Sequence, residues 1–491
     1  MTVEVTTEGT NMAEVVTDGN QVETEKVAHV NEKVAQGDDK VKDVDESKPR
    51  TVEKSSSYRE ESNFLSDLKE FERKALNELK EKLEEAIREN NLYMEESPKK
   101  TDEKLVAEEK EAKEEGDEKE KAAQESEEEN EPDVSADEKV VEINTDISLW
   151  GVPLLPRGGG GTEGTDVVLL KFLRAREFKV NDAFEMLKKT LRWRKEAKID
   201  SILDEDLCAE LSSAAYMSGV DRDGHPVCYN VFGVFESEEL YQKTFGTDEK
   251  RRQFLRWRCQ LMEEGIRKLD LKPGGASSLL HINDLKRSPG PAKKELRIAT
   301  KQAIGILQDN YPELVAKNIF INVPLWYYAL NALISPFLTQ RTKSKFVVAR
   351  PAKVTETLLK YIPVEEIPDH YGGFKRENDD EFSGKDGAAS ELIVKAGSTE
   401  TIEIPALEVG TTLVWDLTVL GWEVSYKEEF VPVDEGSYTI IVQKTKKISS
   451  QEGPIRNTFR ANEPGKVVLT IENTSSKKRR VLHRYKASKS C

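Results

Sequence analysis

The residues of this chain that could do chemistry are few, and their spacing excludes most catalytic and metal sites. Asp221 and Asp223 have the opening spacing of a calcium loop, but the Glu that such a loop needs farther along is missing, so we predict a hairpin-like turn. The glycine run Gly158–Gly161 is not followed by Gly-Lys-Ser/Thr and is therefore no phosphate loop. No Ser-His-Asp set or metal-ligand spacing is evident, and we expect neither a cofactor nor a metal.

Two histidines, His225 and His281, are the remaining candidates for catalysis. A hydrolase that uses either of them is the least favoured of three functional hypotheses, because His281 lies in an apolar run and is interpreted as a packed strand residue. The four cysteines show no CxxC spacing, which fits unpaired thiols in a reducing compartment. We therefore expect a protein that is not an enzyme.

Cations gather at two positions in the sequence. Arg341, Lys343 and Lys345 follow an apolar helix, and a predicted turn near the C-terminus holds Lys477, Lys478, Arg479 and Arg480. The C-terminal cluster is a solvated hairpin tip, a weak nuclear signal or a contact with an anionic membrane. In the last case each cation near the membrane surface would contribute about 1 kcal/mol to the free energy of membrane binding.

The stretch from Tyr311 to Arg350 holds the most distinctive elements. Lys317–Val323 and Phe346–Ala349 are apolar runs that predict buried strands. Between them, Leu325–Leu338 is apolar on nearly every side, which is typical of a helix that is buried or in contact with lipid. At about fifteen residues this helix is too short to span a bilayer, which needs about 20. It is either a core helix or a movable wall over an apolar cavity.

The formal charge of −18 is distributed unevenly along the chain. Residues 1–140 hold 43 Asp and Glu against 22 Lys and Arg, whereas the remainder holds 49 against 52. This acidic arm has too little apolar surface to offset its chain entropy, and we predict that it is long and disordered. One amphipathic helix at about 63–90 is the exception. It either stays solvated or docks on a partner or on the body of the protein.

The N-terminus lacks the basic start and apolar core of a signal peptide, and no apolar run has transmembrane length. We therefore expect a cytoplasmic protein whose membrane contact is peripheral. The tethered negative charge of the arm is expected to lower the affinity for an anionic membrane or to mask the basic clusters.

The rest of the chain divides into two folded regions. Residues 141–165 are predicted to be a linker and residues 166–205 a small helical lobe. From 206 to 376, apolar strands alternate with helices, which indicates an α/β fold with a parallel or mixed sheet covered by helices. A linker follows at 377–388. Residues 389–488 then show seven short strands with a period of 2, which is typical of an antiparallel β-sandwich.

The motifs of residues 165–375 resemble those of the CRAL-TRIO lipid-transfer family. In chain order they are FLRAREF, LRWRKE, DRDGHPV, QDNYPE, FINVP, KFVV and IPDHYGG. That family encloses one hydrophobic molecule beneath a movable helix, and Leu325–Leu338 falls at the position of this gate. The resemblance implies a gate formed by Leu325, Trp326, Tyr328, Ala329, Leu333 and Phe337. Each CH₂ exposed to water costs about 0.8 kcal/mol, so a lipid carrier needs such a closed cavity.

The phosphatidylinositol-transfer members of that family have an inositol-phosphate site, and its Arg, Glu and Lys fall on Arg176, Glu313 and Lys345. The implied chemistry is sensible, because two cations can hold a phosphate while a carboxylate accepts hydrogen bonds from ring hydroxyls. The alternative for each residue is a surface ion pair.

Two departures from the family pattern limit this assignment. Glu177 replaces a Lys beside the Arg and reverses a charge next to the phosphate site. Leu279 and His281 stand where phosphatidylcholine-binding members carry small hydroxyl residues, so phosphatidylcholine exchange is not supported.

The β-rich region resembles the GOLD domain through WDLTVLGWEVSYKEEF and NTFRANEPGKVVLTIEN. An acidic arm, a CRAL-TRIO domain and a GOLD domain in this order resemble the patellins, plant proteins of membrane traffic and cell-plate formation. The resemblance implies a phosphoinositide-binding lipid carrier or sensor with a bound phospholipid. It would act at the plasma membrane, at endosomal or Golgi-derived vesicles or at the cell plate in cytokinesis.

Anionic or phosphoinositide membranes are the expected partners, together with trafficking proteins bound through the GOLD domain or the arm. No nucleic-acid partner is expected. The alternative is a membrane-tethered interaction scaffold that recruits trafficking proteins through the arm and the GOLD domain without lipid exchange.

Overall fold

The computed structural model describes residues 60–93, 147–155, 162–207, 209–289, 293–324, 327, 344–379, 381–382, 387–450 and 452–489. These residues belong to one compact unit. No helix within these ranges is both long and apolar enough to cross a membrane. The predicted gate, with Leu325, Trp326, Tyr328, Ala329, Leu333 and Phe337, lies outside the described residues, as does most of the predicted disordered arm.

Three helices form the helical lobe. They are α1 (Glu70–Arg88), α2 (Glu163–Ala175) and α3 (Val180–Glu196). Helix α2 is apolar on every side and needs cover from several directions, since its residues from Val167 to Leu170 are fully buried. The apolar side chains of α1 give part of that cover: Ala75, Leu76, Leu79, Leu83, Ala86 and Ile87 share one core with α2 and α3.

The docking of α1 decides between the alternatives for the amphipathic helix. It packs on the body of the protein, because leaving those six apolar side chains in water would cost more than ordering the helix. The prediction that the helical lobe begins at residue 166 is therefore wrong in one respect, since the lobe also contains α1. Residues 94–146, between α1 and the hairpin β1 (Ser148–Leu149) and β2 (Val152–Pro153), are largely the acidic segment of the sequence.

The α/β domain is built on a five-stranded sheet. Its strands are β3 (Ala215–Val220), β4 (Pro226–Val231), β5 (Leu279–Asp284), β6 (Val315–Ile321) and β7 (Phe346–Val348). They lie in the order β3-β4-β5-β6-β7, with β3 antiparallel to β4 and the other neighbours parallel. The described helices of this domain are α4 (Glu238–Phe245), α5 (Asp248–Ile266), α6 (Lys294–Asn310) and α7 (Val354–Leu358). The prediction of a mixed sheet covered by helices is confirmed.

Two four-stranded antiparallel sheets form the C-terminal sandwich, as predicted. Their strands are β8 (Ser390–Val394), β9 (Thr399–Ala406), β10 (Thr411–Leu420), β11 (Val424–Pro432), β12 (Ile440–Ile448), β13 (Ile455–Arg460), β14 (Gly465–Glu472) and β15 (Arg479–Lys489). The sheets have the orders β13-β10-β15-β8 and β12-β11-β14-β9. Sequence patterning missed β13, an edge strand with no buried residue and therefore no clear alternation.

A buried ionic network joins the sandwich to the α/β domain. Asp416 of β10 is fully buried and accepts hydrogen bonds from Arg376, Arg456 and Arg484 at 2.7 to 2.8 Å. Asp379 pairs with Arg456 at 2.7 Å and with Arg484 at 3.3 Å. Since Arg376 and Asp379 precede the sandwich in the chain, the predicted linker 377–388 takes part in a packed interface. An apolar cluster adjoins it, formed by Val364, Phe374, Leu420 and Leu482.

Candidate functional site

A cavity of about 1240 Å³ lies between the five-stranded sheet and helices α5 and α6. Alternate residues of a strand point to opposite faces. One face packs beneath α7 and the residues that follow it, through Tyr229, Ile282 and Ile319. The other face lines the cavity with Asn230, His281, Asn283, Asn318 and Phe320. Opposite them lie Phe254, Trp257, Met262, Leu296, Ala303, Ile304 and Leu307.

The size and lining of the cavity indicate the kind of molecule that it can hold. Its volume exceeds the roughly 300 to 1,000 Å³ of typical small-molecule pockets. Its helical wall combines aromatic and aliphatic side chains with polar ones such as Arg297 and Lys301, and its sheet wall carries mainly polar side chains. A large, mostly apolar molecule with a few polar groups fits this combination.

Two of the residues assigned by resemblance, Glu313 and Lys345, are in direct contact at the edge of the cavity. Lys345 Nζ donates to Glu313 Oε2 at 2.7 Å and to the Val315 carbonyl at 3.1 Å. Both side chains are largely buried, at 15% exposure for Glu313 and 13% for Lys345. Glu313 has a φ of +53°, a conformation that is rare for residues other than glycine and that is often found at ligand sites.

A second lysine, Lys171 of α2, contacts the backbone of the same site. Its Nζ donates to the Glu313 carbonyl at 2.9 Å, and Ser277 Oγ lies 3.4 Å away. Burial lowers the pKa of Lys171 to about 8, against the opposing effect of Glu60 and Glu313. Sequence reasoning missed Lys171. The available signal was a single charge within an otherwise apolar helical run, because such a lysine must find a partner when it is buried.

Arg176 lines the same cavity at the C-terminal end of α2 but does not contact the Glu313–Lys345 pair. Within the described residues it forms no ion pair, and its one hydrogen bond is to the Ala175 carbonyl at 3.4 Å. Its guanidinium is thus available to an anionic ligand. Glu177 also lines the cavity, is exposed and has a φ of +52°, so the reversed charge lies at the edge of the site.

The neighbouring Arg174 is held by the residues just before α1. Its Nη1 donates to Asn63 Oδ1 and its Nη2 to the Ser62 carbonyl, each at 2.6 Å, and Glu61 lies 2.9 Å from its Nε. The sequence places residues 61–63 in the arm, with Ser62 or Asn63 as the expected cap of the amphipathic helix; the helix begins instead at Glu70, and both residues contact Arg174. These contacts bring the start of the described chain to the wall of the cavity.

His225 lies in the turn between β3 and β4 with a carboxylate at each ring nitrogen. Nδ1 is 2.9 Å from Asp221 Oδ2, and Nε2 is 2.9 Å from Glu60 Oε2. Burial opposes the charged imidazole, but the hydrogen bonds to Asp221 and Glu60 outweigh it and raise the pKa of His225 to about 9. A charged ring with both nitrogens engaged is a poor general base.

The predicted hairpin turn at Asp221–His225 is confirmed by its backbone contacts. Asp221, Asp223 and His225 have potential metal-ligand atoms within 4.8 Å of one another. However, Asp221 Oδ1 already accepts the backbone N–H groups of Asp223 at 2.9 Å and of His225 at 2.8 Å. These hydrogen bonds close the turn, and the closed turn explains why the three side chains lie close together.

The C-terminal basic cluster is smaller than its sequence indicates. Lys477 and Lys478 are exposed at the end of the turn, whereas Arg479 and Arg480 belong to β15. Arg480 forms a two-pronged ion pair with Glu391 at 2.7 and 2.8 Å. Two lysines are therefore the cations best placed to meet an anionic surface.

Three family models match the chain. "CRAL/TRIO, N-terminal domain" covers residues 75–189, "CRAL/TRIO domain" covers 211–373 and "Patellin-1-like, C-terminal GOLD domain" covers 395–479. The first of these begins inside α1, which agrees with the place of that helix in the lobe.

Several curated proteins are similar to the chain. Patellin-4 of Arabidopsis thaliana is 63% identical over 353 residues, which cover 72% of the chain and 64% of Patellin-4, less than two thirds of that relative. Patellin-3 of the same plant is 51% identical over 344 residues, which cover 69% of each protein. The "Phosphatidylinositol transfer protein SFH5" of Kluyveromyces lactis is 29% identical over 256 residues, covering 50% of the chain and 80% of that protein.

Proposed function

The chain belongs to the patellin family, and we propose that it binds a phosphoinositide in the cavity and acts as a lipid carrier or sensor. The observation that carries this proposal is an apolar cavity of about 1240 Å³ edged by Arg176 and the Glu313–Lys345 pair. The apolar wall suits acyl chains, and the charged edge suits a phosphate on a hydroxylated ring. A relative described as a phosphatidylinositol transfer protein supports the same substrate class.

The proposed setting is the cytosolic face of trafficking membranes, including the cell plate, where the protein would bind peripherally and without catalysis. Lys477 and Lys478 are the proposed contacts with an anionic surface, since they are exposed and project from a turn. The apolar stretch Leu325–Leu338 is the proposed gate, because no lipid can leave the bilayer for water without the large cost of exposing its chains.

A vesicle-exchange assay with labelled phosphatidylinositol tests the headgroup site. We expect Arg176→Gln and Lys345→Ala each to lower uptake by roughly 10-fold or more, which corresponds to the loss of a charge-assisted hydrogen bond of about 1.5–3 kcal/mol. Lys353→Ala is the matched control, because Lys353 is 60% exposed and pairs with the nearby Glu356. Unchanged uptake by both site variants, with normal folding, would refute the assignment.

A second candidate function, the interaction scaffold, is supported by apolar side chains at one end of the sandwich. Leu407, Val409, Val433 and Tyr438 are 60% to 92% exposed in the loops that follow β9 and β11. The other proposed scaffold surface, the apolar face of α1, is buried within the lobe. Lipid co-purified with the native protein would favour the carrier, whereas absence of lipid together with capture of a trafficking protein by these loops would favour the scaffold.

A further inference from the structure

A second polar cluster lines the cavity, formed by Arg258 of α5 and polar side chains of the sheet. Arg258 Nη1 donates to Asn230 Oδ1 at 2.8 Å, and Asn230 Nδ2 donates to Asn283 Oδ1 at 3.2 Å. Arg258, Asn230, Asn283 and His281 all line the cavity. The Asn230–Asn283 pair lies on neighbouring strands, since these two residues are in register.

No acidic side chain in the part of the chain that the structure describes pairs with Arg258. Among the described residues it has no ion pair, and its one hydrogen-bond partner is the neutral Asn230. Residues 325–343, of which the structure describes only Tyr327, contain no Asp or Glu in their sequence. An arginine cannot release its proton to escape burial, and a buried charge without an opposite charge is costly.

The other members of the cluster carry no charge that could offset Arg258. Burial and the neighbouring Arg258 lower the pKa of His281 to about 3, so its imidazole is neutral at physiological pH. The two asparagines are neutral amides. The cluster therefore presents one net positive charge and several neutral hydrogen-bonding groups to the cavity.

This cluster is distinct from the headgroup site at the edge of the cavity. Asn283 is in register with Phe320 of β6, and Val315, whose carbonyl binds Lys345, lies five residues earlier on the same strand. At about 3.3 Å for each residue, the separation along the strand is roughly 17 Å. The same cavity is also lined by apolar side chains of α6 such as Ala303 and Leu307.

We propose that Arg258, with Asn230, Asn283 and His281, binds the anionic oxygen group of an acyl-chain ligand, a carboxylate or a phosphate, at the inner wall of the cavity. This inference rests on the proposed function, because it assumes that the cavity takes lipids. It extends that function to a second ligand class, single-chain anionic amphiphiles, whose charged end points inward. Phosphatidylinositol held at Arg176, Glu313 and Lys345 would have the opposite orientation.

Two pairs of probes test the proposal and separate the sources of the anion. The first pair is a pyrene-labelled fatty acid and its methyl ester, and the second is a labelled lysophosphatidic acid and the corresponding monoacylglycerol. We expect the full-length protein to bind the anionic member of at least one pair about 10-fold or more tightly than its neutral partner, as a charge-assisted hydrogen bond implies. Preference within the first pair identifies a carboxylate, and preference within the second a phosphate.

The variants Arg258→Met and Arg258→Lys locate that preference. Arg258→Met should abolish it while leaving the binding of the neutral probes intact, whereas Arg258→Lys should retain part of it. Arg252→Met is the matched control on the same helix, because Arg252 is 68% exposed and pairs with Glu249. Retention of neutral-probe binding also shows that Arg258→Met is folded.

The outcomes distinguish this inference from the proposed function. Equal binding of anionic and neutral probes by the unaltered protein would overturn the inner site alone. An anionic preference that survives in Arg258→Met would do the same. Failure of all four probes to bind, although the protein still takes up phosphatidylinositol in the vesicle-exchange assay, would overturn the inner site alone. Failure of the folded protein in both assays would overturn the lipid-binding function as well.

Discussion

At the scale of single residues, Glu60 and His225 form a buried charge pair that ties the start of the described chain to the sheet. Burial alone would raise the pKa of Glu60, but hydrogen bonds from His225 and Ser278 and the nearby Lys171 lower it to about 2. His225 is shifted in the opposite direction, to about 9. Both shifts show that the charged forms are favoured in the folded protein.

The pair predicts that stability falls as the pH rises above neutrality. The pKa of His225 is about 9 in the folded protein and 6.5 without these partners. Its contribution to the free energy of unfolding is therefore complete below pH 6.5 and is lost toward pH 9. Glu60 remains ionised throughout this range. The free energy of unfolding should drop by about 2 kcal/mol between pH 6.5 and 8, as measured by urea denaturation.

Glu60→Gln should remove a large part of that drop, and Glu78→Gln, at an exposed position of α1, should not. The comparison is best confined to pH 8 and below. Above pH 8 the buried Lys171, whose pKa is lowered to about 8, loses its charge in the folded protein. This loss raises the free energy of unfolding as the pH increases, which opposes the effect of His225. A flat stability profile of the unaltered protein from pH 6.5 to 8 would show that the pair does not have this role.

Individual site residues were predictable to different degrees. Glu313 and Lys345 were located through motifs, and the structure places them in contact. Lys171, Arg174 and Arg258 were not located, because each owes its role to a neighbour that is 28 to 142 residues away in the chain. Sequence spacing shows which residues share an element but not which elements meet across a cavity.

At the scale of elements, α1 illustrates the same limit. Its helical period was evident, and the helix lies at Glu70–Arg88 within the predicted range of about 63–90. An amphipathic pattern shows that one face must be covered but not by what. The cover comes from α2 and α3, which follow 74 or more residues later. The reason why α2 is apolar all round is likewise visible only once its neighbours are known.

The packing of α1 predicts a large effect of a single truncation. Leu79→Ala removes a fully buried side chain from the core of the lobe and should lower the free energy of unfolding by about 2–5 kcal/mol. Glu78→Ala, next to it on the exposed face, should change stability by less than about 0.5 kcal/mol. Thermal unfolding of both variants provides the measurement, and equal midpoints would mean that α1 does not belong to the folded lobe.

At the scale of the whole molecule, the Asp416 network makes the two domains a single mechanical unit. Three arginines from different parts of the chain converge on one fully buried carboxylate. Removing a buried acid leaves its cations unbalanced, which costs far more than breaking a pair at the surface. We therefore expect the sandwich to resist movement of the α/β domain, and any such movement to disturb the sandwich.

Asp416→Ala should therefore destabilise the protein by about 3–5 kcal/mol and separate the melting of the sandwich from that of the α/β domain. Glu403→Ala is the control in the same domain, because Glu403 pairs with Lys466 at the surface and should contribute at most about 1 kcal/mol. Calorimetry distinguishes one transition from two. A single, unshifted transition in Asp416→Ala would contradict the coupling.

The position of α1 also changes how the acidic arm can be studied. A chain that starts near Val141 would lack α1 and expose the apolar faces of α2 and α3, so its membrane binding would not report on charge alone. Residues 94–146, with 22 Asp and Glu against 8 Lys and Arg, lie between two anchored parts of the lobe. The larger part of the acidic charge is therefore an insertion within the folded chain.

An insertion of this kind makes the lobe a natural case of fragment complementation. Because the apolar face of α1 packs on α2 and α3, two polypeptides, 1–93 and 147–491, should assemble into the same lobe when they are produced together. The 53 intervening residues tether α1 to the rest of the lobe and so give it a high local concentration. Co-elution of the two fragments, and its loss when the shorter one carries Leu79→Asp, would measure how much of the attachment is non-covalent.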